Sequence, residues 1–197
     1  MLTTSGQATP ELHRRVGEAG ACFNALAAVW KHANIPLRKK YRIFETCVVS
    51  KLLYGLESLW LLKAHQQKLD AFGARCLRRI AKVSPSYLSR VSNANVLRRF
   101  GADPLSTSLE RRQLTLLWKI AQQPDGSLTR QMAFEPSSYK PRSWHPNRRV
   151  GRPCLRWVDC VYGMAVDVCH GNNAILEETL ATPDPQCWGR MLRAAPL

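Results

Sequence analysis

The stretch that decides the fold runs from residue 64 to residue 82 and reads AHQQKLDAFGARCLRRIAK. Apolar residues recur in it at steps of three and four, the spacing that places side chains on one face of an α-helix. Five cations fall within an arc of roughly 100° beside that face, at 100° per residue. The apolar residues are Leu69, Phe72, Cys76 and Ile80, and the cations are Lys68, Arg75, Arg78, Arg79 and Lys82. The stretch is predicted to be a helix that buries one stripe and presents the adjoining cations to solvent.

Apolar residues with helical spacing also occur on both sides of this stretch. Upstream, they alternate steps of four and three from Leu12 to Ala33, which predicts one coiled-coil-like helix begun by Thr9 as N-cap and Pro10. Further helices are predicted over 37–53, 92–100, 104–122, 156–170 and 173–181, and a last one begins at Asp184 and Pro185. Strand-like alternation of useful length does not occur. The predicted fold class is mainly α.

Composition divides the chain into four segments. We expect a disordered N-terminus over 1–9, a small helical bundle over 10–134, a basic, Pro-rich extended arm over 135–153, and a short C-terminal helical segment over 154–197. Repeated Pro prevents a helix in the arm. Its cations alternate with aromatic residues, a composition that suits nucleic-acid binding but is also typical of a plain disordered linker.

The net charge is the strongest indication of function. Lys and Arg total 29 against 14 Asp and Glu, a formal charge of +15. Such an excess favours a polyanionic partner, because binding relieves repulsion and releases counterions. Nucleic acid is the usual partner, and an acidic membrane surface or no specific partner is the alternative.

Three groups of cations are the candidate nucleic-acid-binding residues, and we expect them to contact phosphates without reading bases. The first is the row of the opening stretch, for which the alternative is a solvated helix face that only keeps the protein soluble. The second begins the next helix upstream, and the third lies in the arm except for Arg156, which follows it by three residues. The first group consists of Lys68, Arg75, Arg78, Arg79 and Lys82. The second consists of Arg38, Lys39, Lys40 and Arg42, and the third of Arg142, Arg148, Arg149, Arg152 and Arg156.

Residues for catalysis or metal binding are not evident. A polymerase needs clustered carboxylates for two divalent ions, and the only adjacent acids are Glu177 and Glu178. The late Cys and His residues lack the close pairs of a zinc finger. We therefore expect no cofactor, no metal and no enzymatic activity of this chain by itself. Seven irregularly spaced Cys and a polar start indicate reduced thiols in the nucleus or cytoplasm, not secretion and not a membrane.

Several phrases resemble the region downstream of the polymerase core in non-LTR (LINE-like) retrotransposon reverse transcriptases. The most specific is Leu-Leu-Tyr-Gly-x-Glu-x-x-Trp, at residues 52–60. Gly-Arg-Pro-x-x-x-Trp-x-Asp, at residues 151–159, is also similar to a segment of the family. Further similar phrases lie at residues 11–26, 37–43, 69–80, 111–118 and 188–192.

The resemblance implies the thumb and C-terminal region of such an enzyme, which in the family hold the RNA template and the primer duplex. The catalytic palm is not part of the matching region. The expected partners are RNA and RNA–DNA or DNA duplexes, bound with little dependence on sequence. Two alternatives remain: a helical interaction module that pairs with the missing palm or with a second copy through the seam at 12–33, or a decayed element fragment without a selected function.

Overall fold

The computed structural model describes residues 8–142 and 156–194. These residues are mainly α-helical, which confirms the predicted fold class, and the β feature among them is an isolated bridge between Phe134 and Pro141. The chain forms two compact units, Met1–Leu109 and Glu110–Leu197. The boundary lies inside a helix, whereas the end of the helical bundle is predicted at residue 134 from the sequence.

The first unit is built from short helices around two long ones. In chain order they are α1 (Ala8–Ala25), α2 (Ala27–Lys31), α3 (Leu37–Ile43), a π-helical segment (Phe44–Val49), α4 (Ser50–Leu53), a 3-10 turn (Leu56–Ser58), α5 (Lys63–Ile80), α6 (Ser86–Ser89), α7 (Asn93–Phe100) and the start of α8 (Leu105–Ala121). Helix α5 packs against α1, α2, α3 and α7. The apolar face predicted for 64–82 is buried, because Leu69, Phe72, Cys76 and Ile80 all lie in the core.

The predicted continuous helix over 12–33 is interrupted at Leu26, where α1 gives way to α2. The indole N–H of Trp30 turns back and donates to the carbonyl of Phe23 at 2.8 Å. The two rings stack with centroids 5.1 Å apart, and Phe44 meets Phe23 edge-on at 6.2 Å. Stacking of this kind adds about 0.5–1.5 kcal/mol to the burial of each pair. The residues on both sides of the break therefore contribute to an aromatic cluster in the core.

The start of α1 also differs from the prediction. Ala8 and Thr9, assigned from the sequence to a disordered N-terminus and an N-cap, lie inside the helix. The hydroxyl of Thr9 is 3.0 Å from Nε2 of His65 on α5 instead of capping α1.

A π-helical segment joins α3 to α4. Its backbone bonds reach one residue further than those of an α-helix, which shifts the register of the buried face. Residues 48–49 and 52–53, on the segment and on α4, are buried. The hydroxyl of Thr46 donates to the carbonyl of Arg42 at 2.9 Å, a local bond that competes with the α-helical ladder.

The second unit contains the rest of α8 followed by α9 (Leu128–Ala133), α10 (Trp157–Val168), α11 (Asn173–Ala181) and α12 (Pro185–Ala194). The Gln122 amide at the end of α8 donates to the carbonyl of Leu180 at 2.5 Å, and the Trp118 indole donates to that of Thr182 at 3.3 Å. These bonds fasten the end of α8 to the end of α11. Side chains of α10, α11 and α12 complete the unit's core; they include Val161, Ala165, Leu176, Leu180, Trp188 and Leu192.

The beginning of the predicted extended arm is folded back. The amide of Glu135 donates to the carbonyl of Lys140 at 2.9 Å, and that of Arg142 donates to Ala133 at 3.0 Å. The ring of Tyr139 lies 6.3 Å from that of Phe134. For residues 135–142 the prediction of an extended chain is therefore wrong, and residues 143–153 of the arm lie outside the described part.

Helix α8 is capped at its N-terminus by a side chain from α5. The carboxylate of Asp70 accepts from the backbone N–H of Ser106 at 2.9 Å and from its hydroxyl at 2.7 Å. The cap satisfies an N–H group that has no partner within the helix.

We expect Asp70→Ala to lower the free energy of unfolding by about 1–2 kcal/mol, because it removes this cap and leaves Ser106 unpaired. The measurement is urea denaturation followed by circular dichroism. Glu18→Ala is the matched control, since it removes only an exposed ion pair with Arg14 and should leave the free energy of unfolding almost unchanged. Equal losses in the two variants would contradict the assigned role of Asp70.

Candidate nucleic-acid interface

Four of the five cations predicted on the central helix are exposed, and they form a row. Lys68, Arg75 and Arg79 lie on α5, and Lys82 follows two residues after its end. At 1.5 Å per residue the three helical members span about 17 Å, the rise of roughly five base pairs at 3.4 Å each. We call these four residues the α5 row.

Helix α1 positions two members of the α5 row. The guanidinium of Arg79 lies 4.9 Å from the centre of the Phe23 ring and donates to Oδ1 of Asn24 at 3.0 Å. Nζ of Lys68 is 3.4 Å from Nε2 of His13. The side chains of Arg75 and Lys82 have no hydrogen bond or ion pair with any residue that the structure describes. Two cations of the row are thus held in place and two are available to an anion.

The acids of the first unit are largely engaged in its internal structure. Residues 1–109 hold seventeen Lys and Arg against six Asp and Glu. Asp70 caps α8, and the Glu11 carboxylate contacts the guanidinium groups of Arg14 and Arg15. The hydrogen bond from Arg14 is the main cause that lowers the pKa of Glu11 to about 2. Residues 71–102 contain seven basic residues and no acid, so the later half of the α5 row has no nearby acid in the sequence.

Arg78 is a correction to the predicted row, because it is only 7% exposed. Its guanidinium holds the loop that follows α5, and we call residues 82–92 the Arg78 loop. It donates to the carbonyl of Ser84 at 3.0 Å, to the carbonyl of Val91 at 2.5 Å and to Oδ1 of Asn93 at 2.9 and 3.0 Å. On the helix, Arg78 points about 60° away from Arg75, toward the loop and α7. With its donors occupied and buried, it is not a phosphate-binding residue.

The second predicted group also contains both exposed and buried cations. Arg38, Lys39 and Arg42 are exposed on α3. Lys40 is 5% exposed, and its ammonium donates to the carbonyl of Trp30 at 2.9 Å, near the end of α2. A cation there satisfies a carbonyl left unpaired at a helix C-terminus. The prediction that Lys40 binds nucleic acid is therefore wrong.

The third predicted group has little support among the described residues. Arg142 is half-buried and donates to the carbonyl of Gln131 at 2.9 Å. Arg156 pairs with Asp159 at 2.6 Å and donates to the carbonyl of Arg142 at 2.6 Å. Both guanidinium groups have structural partners within the second unit. Arg148, Arg149 and Arg152 lie outside the described residues.

Three exposed cations outside the predicted groups lie in the same acid-free stretch. Arg90 is the C-cap of α6, and Arg98 and Arg99 lie on α7, which packs against α5. The signal that identifies them is the absence of acids from residue 71 to residue 102, which helical periodicity does not reveal.

Burial, rather than neighbouring charge, determines the pKa of Cys76, which lies next to Arg75 on α5. Desolvation raises the pKa of the Cys76 thiol to about 12, although Arg75 and Arg79 act in the opposite direction. Within the described ranges, no three His, Cys, Asp or Glu side chains are grouped so that they could hold a metal ion. Nor does any described helix combine the length and apolar character needed to cross a bilayer.

No protein-family model, no curated protein and no solved structure matches this chain.

We expect Arg78→Met to lower the free energy of unfolding by about 2–3 kcal/mol, because it removes the buried charged donor that joins Ser84, Val91 and Asn93. Denaturant unfolding measures the loss. Arg75→Met is the matched control and should change the free energy by less than about 0.5 kcal/mol. If the two variants are equally stable, Arg78 does not organise the loop.

We also expect the Cys76 thiol to resist alkylation by iodoacetamide at pH 8–9, while the exposed Cys47 reacts. Peptide mapping by mass spectrometry measures both sites in one sample. Since the folded pKa lies above the unfolded value of about 9, stability falls between pH 9 and 12 as the unfolded thiol ionises. Rapid modification of Cys76 in the folded protein would show that it is not buried.

Proposed function

We propose that this chain binds the phosphate backbone of RNA-containing or DNA duplexes through the α5 row, with little dependence on sequence. The observation that supports this most strongly is the α5 row itself, because three exposed cations span about 17 Å of one helix and a fourth follows two residues after its end, beside a stretch without acids. Such cations gain free energy from counterion release and do not require base contacts.

The geometry of α5 supports this proposal independently of the net charge. A dispersed positive surface attracts polyanions weakly, whereas a row on a packed helix keeps its charges at fixed spacing. Helix α5 is fixed by its buried apolar face, and Arg79 is further held by Phe23 and Asn24. Arg79 is already held, so it loses less side-chain freedom on binding than an unheld cation does.

The resemblance to non-LTR reverse transcriptases supports RNA template and primer duplex as the partners. In this proposal the chain is a non-catalytic thumb and C-terminal region, and the catalytic carboxylates of a polymerase belong elsewhere. The proposal requires no cofactor.

The seam over 12–33 does not support the alternative of self-association. Leu12, Phe23 and Trp30 are buried inside the first unit, so they are not available to a second copy of the folded chain.

We expect the triple variant Lys68→Gln, Arg75→Gln, Lys82→Gln to weaken binding to a 20-base-pair RNA–DNA hybrid by at least about tenfold, because phosphate contacts are lost. The slope of log affinity against log salt should become shallower by roughly 2–3, at about 0.9 per contact. Fluorescence anisotropy over a salt series measures both quantities.

The matched control is Lys31→Gln, Lys51→Gln, Lys119→Gln, which removes the same charge from three exposed positions on other helices. The control should retain most of the affinity and the original slope. If both triple variants lose affinity equally, general charge attraction explains binding and the α5 row has no special role.

A further inference from the structure

The Arg78 loop presents two large apolar side chains to solvent. Tyr87 is 73% exposed and Leu88 is 65% exposed, and α6, which carries them, has no buried residue. Exposed apolar side chains are common on protein surfaces when single. Two consecutive ones, including an aromatic ring, at the tip of a firmly held loop require a further explanation.

The loop is fixed at its base. Arg78 binds the carbonyls at both ends of the loop, and the Ser89 hydroxyl donates to the Ser84 carbonyl at 3.0 Å. Lys82 and Arg90 both adopt left-handed backbone conformations, with φ of 54° and 55°. Such conformations persist in residues other than glycine where the surroundings hold them. Tyr87 is therefore displayed on a loop that needs little ordering before it binds.

The charge around Tyr87 indicates the chemistry of its partner. Lys82 and Arg90 bracket the ring in sequence, both are exposed, and no acid occurs between residues 71 and 102. An aromatic ring between cations suits a ligand that combines flat apolar faces with negative charge. Unpaired nucleotides have both, because their bases stack on aromatic rings while their phosphates contact Lys and Arg.

We propose that Tyr87 stacks on the first unpaired base of a strand that continues beyond a duplex bound along the α5 row. Lys82 ends that row and begins the Arg78 loop, so Tyr87 lies at most about 18 Å from it along the chain. Leu88 packs against the neighbouring sugar or base. The α5 row thus holds the duplex, and Tyr87 marks the junction with the single strand. This inference rests on the proposed function and adds a preferred substrate, a duplex with an overhang.

The test compares a blunt 16-base-pair RNA–DNA hybrid with the same hybrid carrying a four-nucleotide overhang, on its 5′ or 3′ end, with 2-aminopurine at the first unpaired position. Wild-type protein should bind one overhang substrate about tenfold more tightly than the blunt one and change the fluorescence of 2-aminopurine. Tyr87→Ala should lose both effects while retaining its affinity for the blunt hybrid. Tyr87→Phe should behave as wild type, because stacking needs the ring and not the hydroxyl.

Tyr54→Ala is the matched control, since Tyr54 is equally exposed and lies under Arg15 elsewhere in the first unit. It should retain the preference for the overhang, and circular dichroism should show both alanine variants folded. If wild type binds both hybrids equally without a change in 2-aminopurine fluorescence, the stacking role is wrong while the proposed function stands. If wild type binds neither hybrid, both proposals fail. If Tyr87→Ala instead dissociates a dimer in sedimentation, Tyr87 covers a second copy and the stacking role is also wrong.

Discussion

The burial of the Arg78 guanidinium is the constraint on which the arrangement of the first unit depends. A buried cation without partners is unstable by several kcal/mol, so the chain around it must supply acceptors. It does so with the carbonyls of Ser84 and Val91 and the amide oxygen of Asn93, which begins α7. One side chain of α5 thereby determines the course of the following loop and the position of the next helix.

Two other buried cations follow the same principle. Lys40 donates to the carbonyl of Trp30 near the end of α2, and Arg130 donates to the carbonyl of Ala121 at the end of α8. Arg130 also pairs with Asp125 at 2.7 Å and lies 4.9 Å from the ring of Tyr139. Cations suit the negative ends of helices. Part of the chain's basic character therefore supports its own fold, and net charge overstates the number of cations available to a partner.

Several acids of the first unit bind groups of the unit itself, and their positions determine which surface cations have an acidic neighbour. Asp70 caps α8, and Glu11 holds two arginines of its own helix. The cations of the α5 row have no such partners among the described acids. The proposed interface thus arises from the position of the acids as much as from the number of cations, since a phosphate competes there with no neighbouring carboxylate.

Periodicity alone determined the helical class, the existence of α5 and the side of α5 that is buried, because apolar spacing fixes angles around a helix axis. It also predicted correctly that Lys68, Arg75, Arg79 and Lys82 are exposed. Only the tertiary structure decided that Arg78 turns inward, that Lys40 caps α2 and that the helix over 12–33 breaks at Leu26. Each of these depends on a carbonyl, an amide oxygen or a ring contributed by another part of the chain. A residue at the edge of an apolar stripe is buried or exposed according to the group that faces it, and helical spacing carries no information about that group.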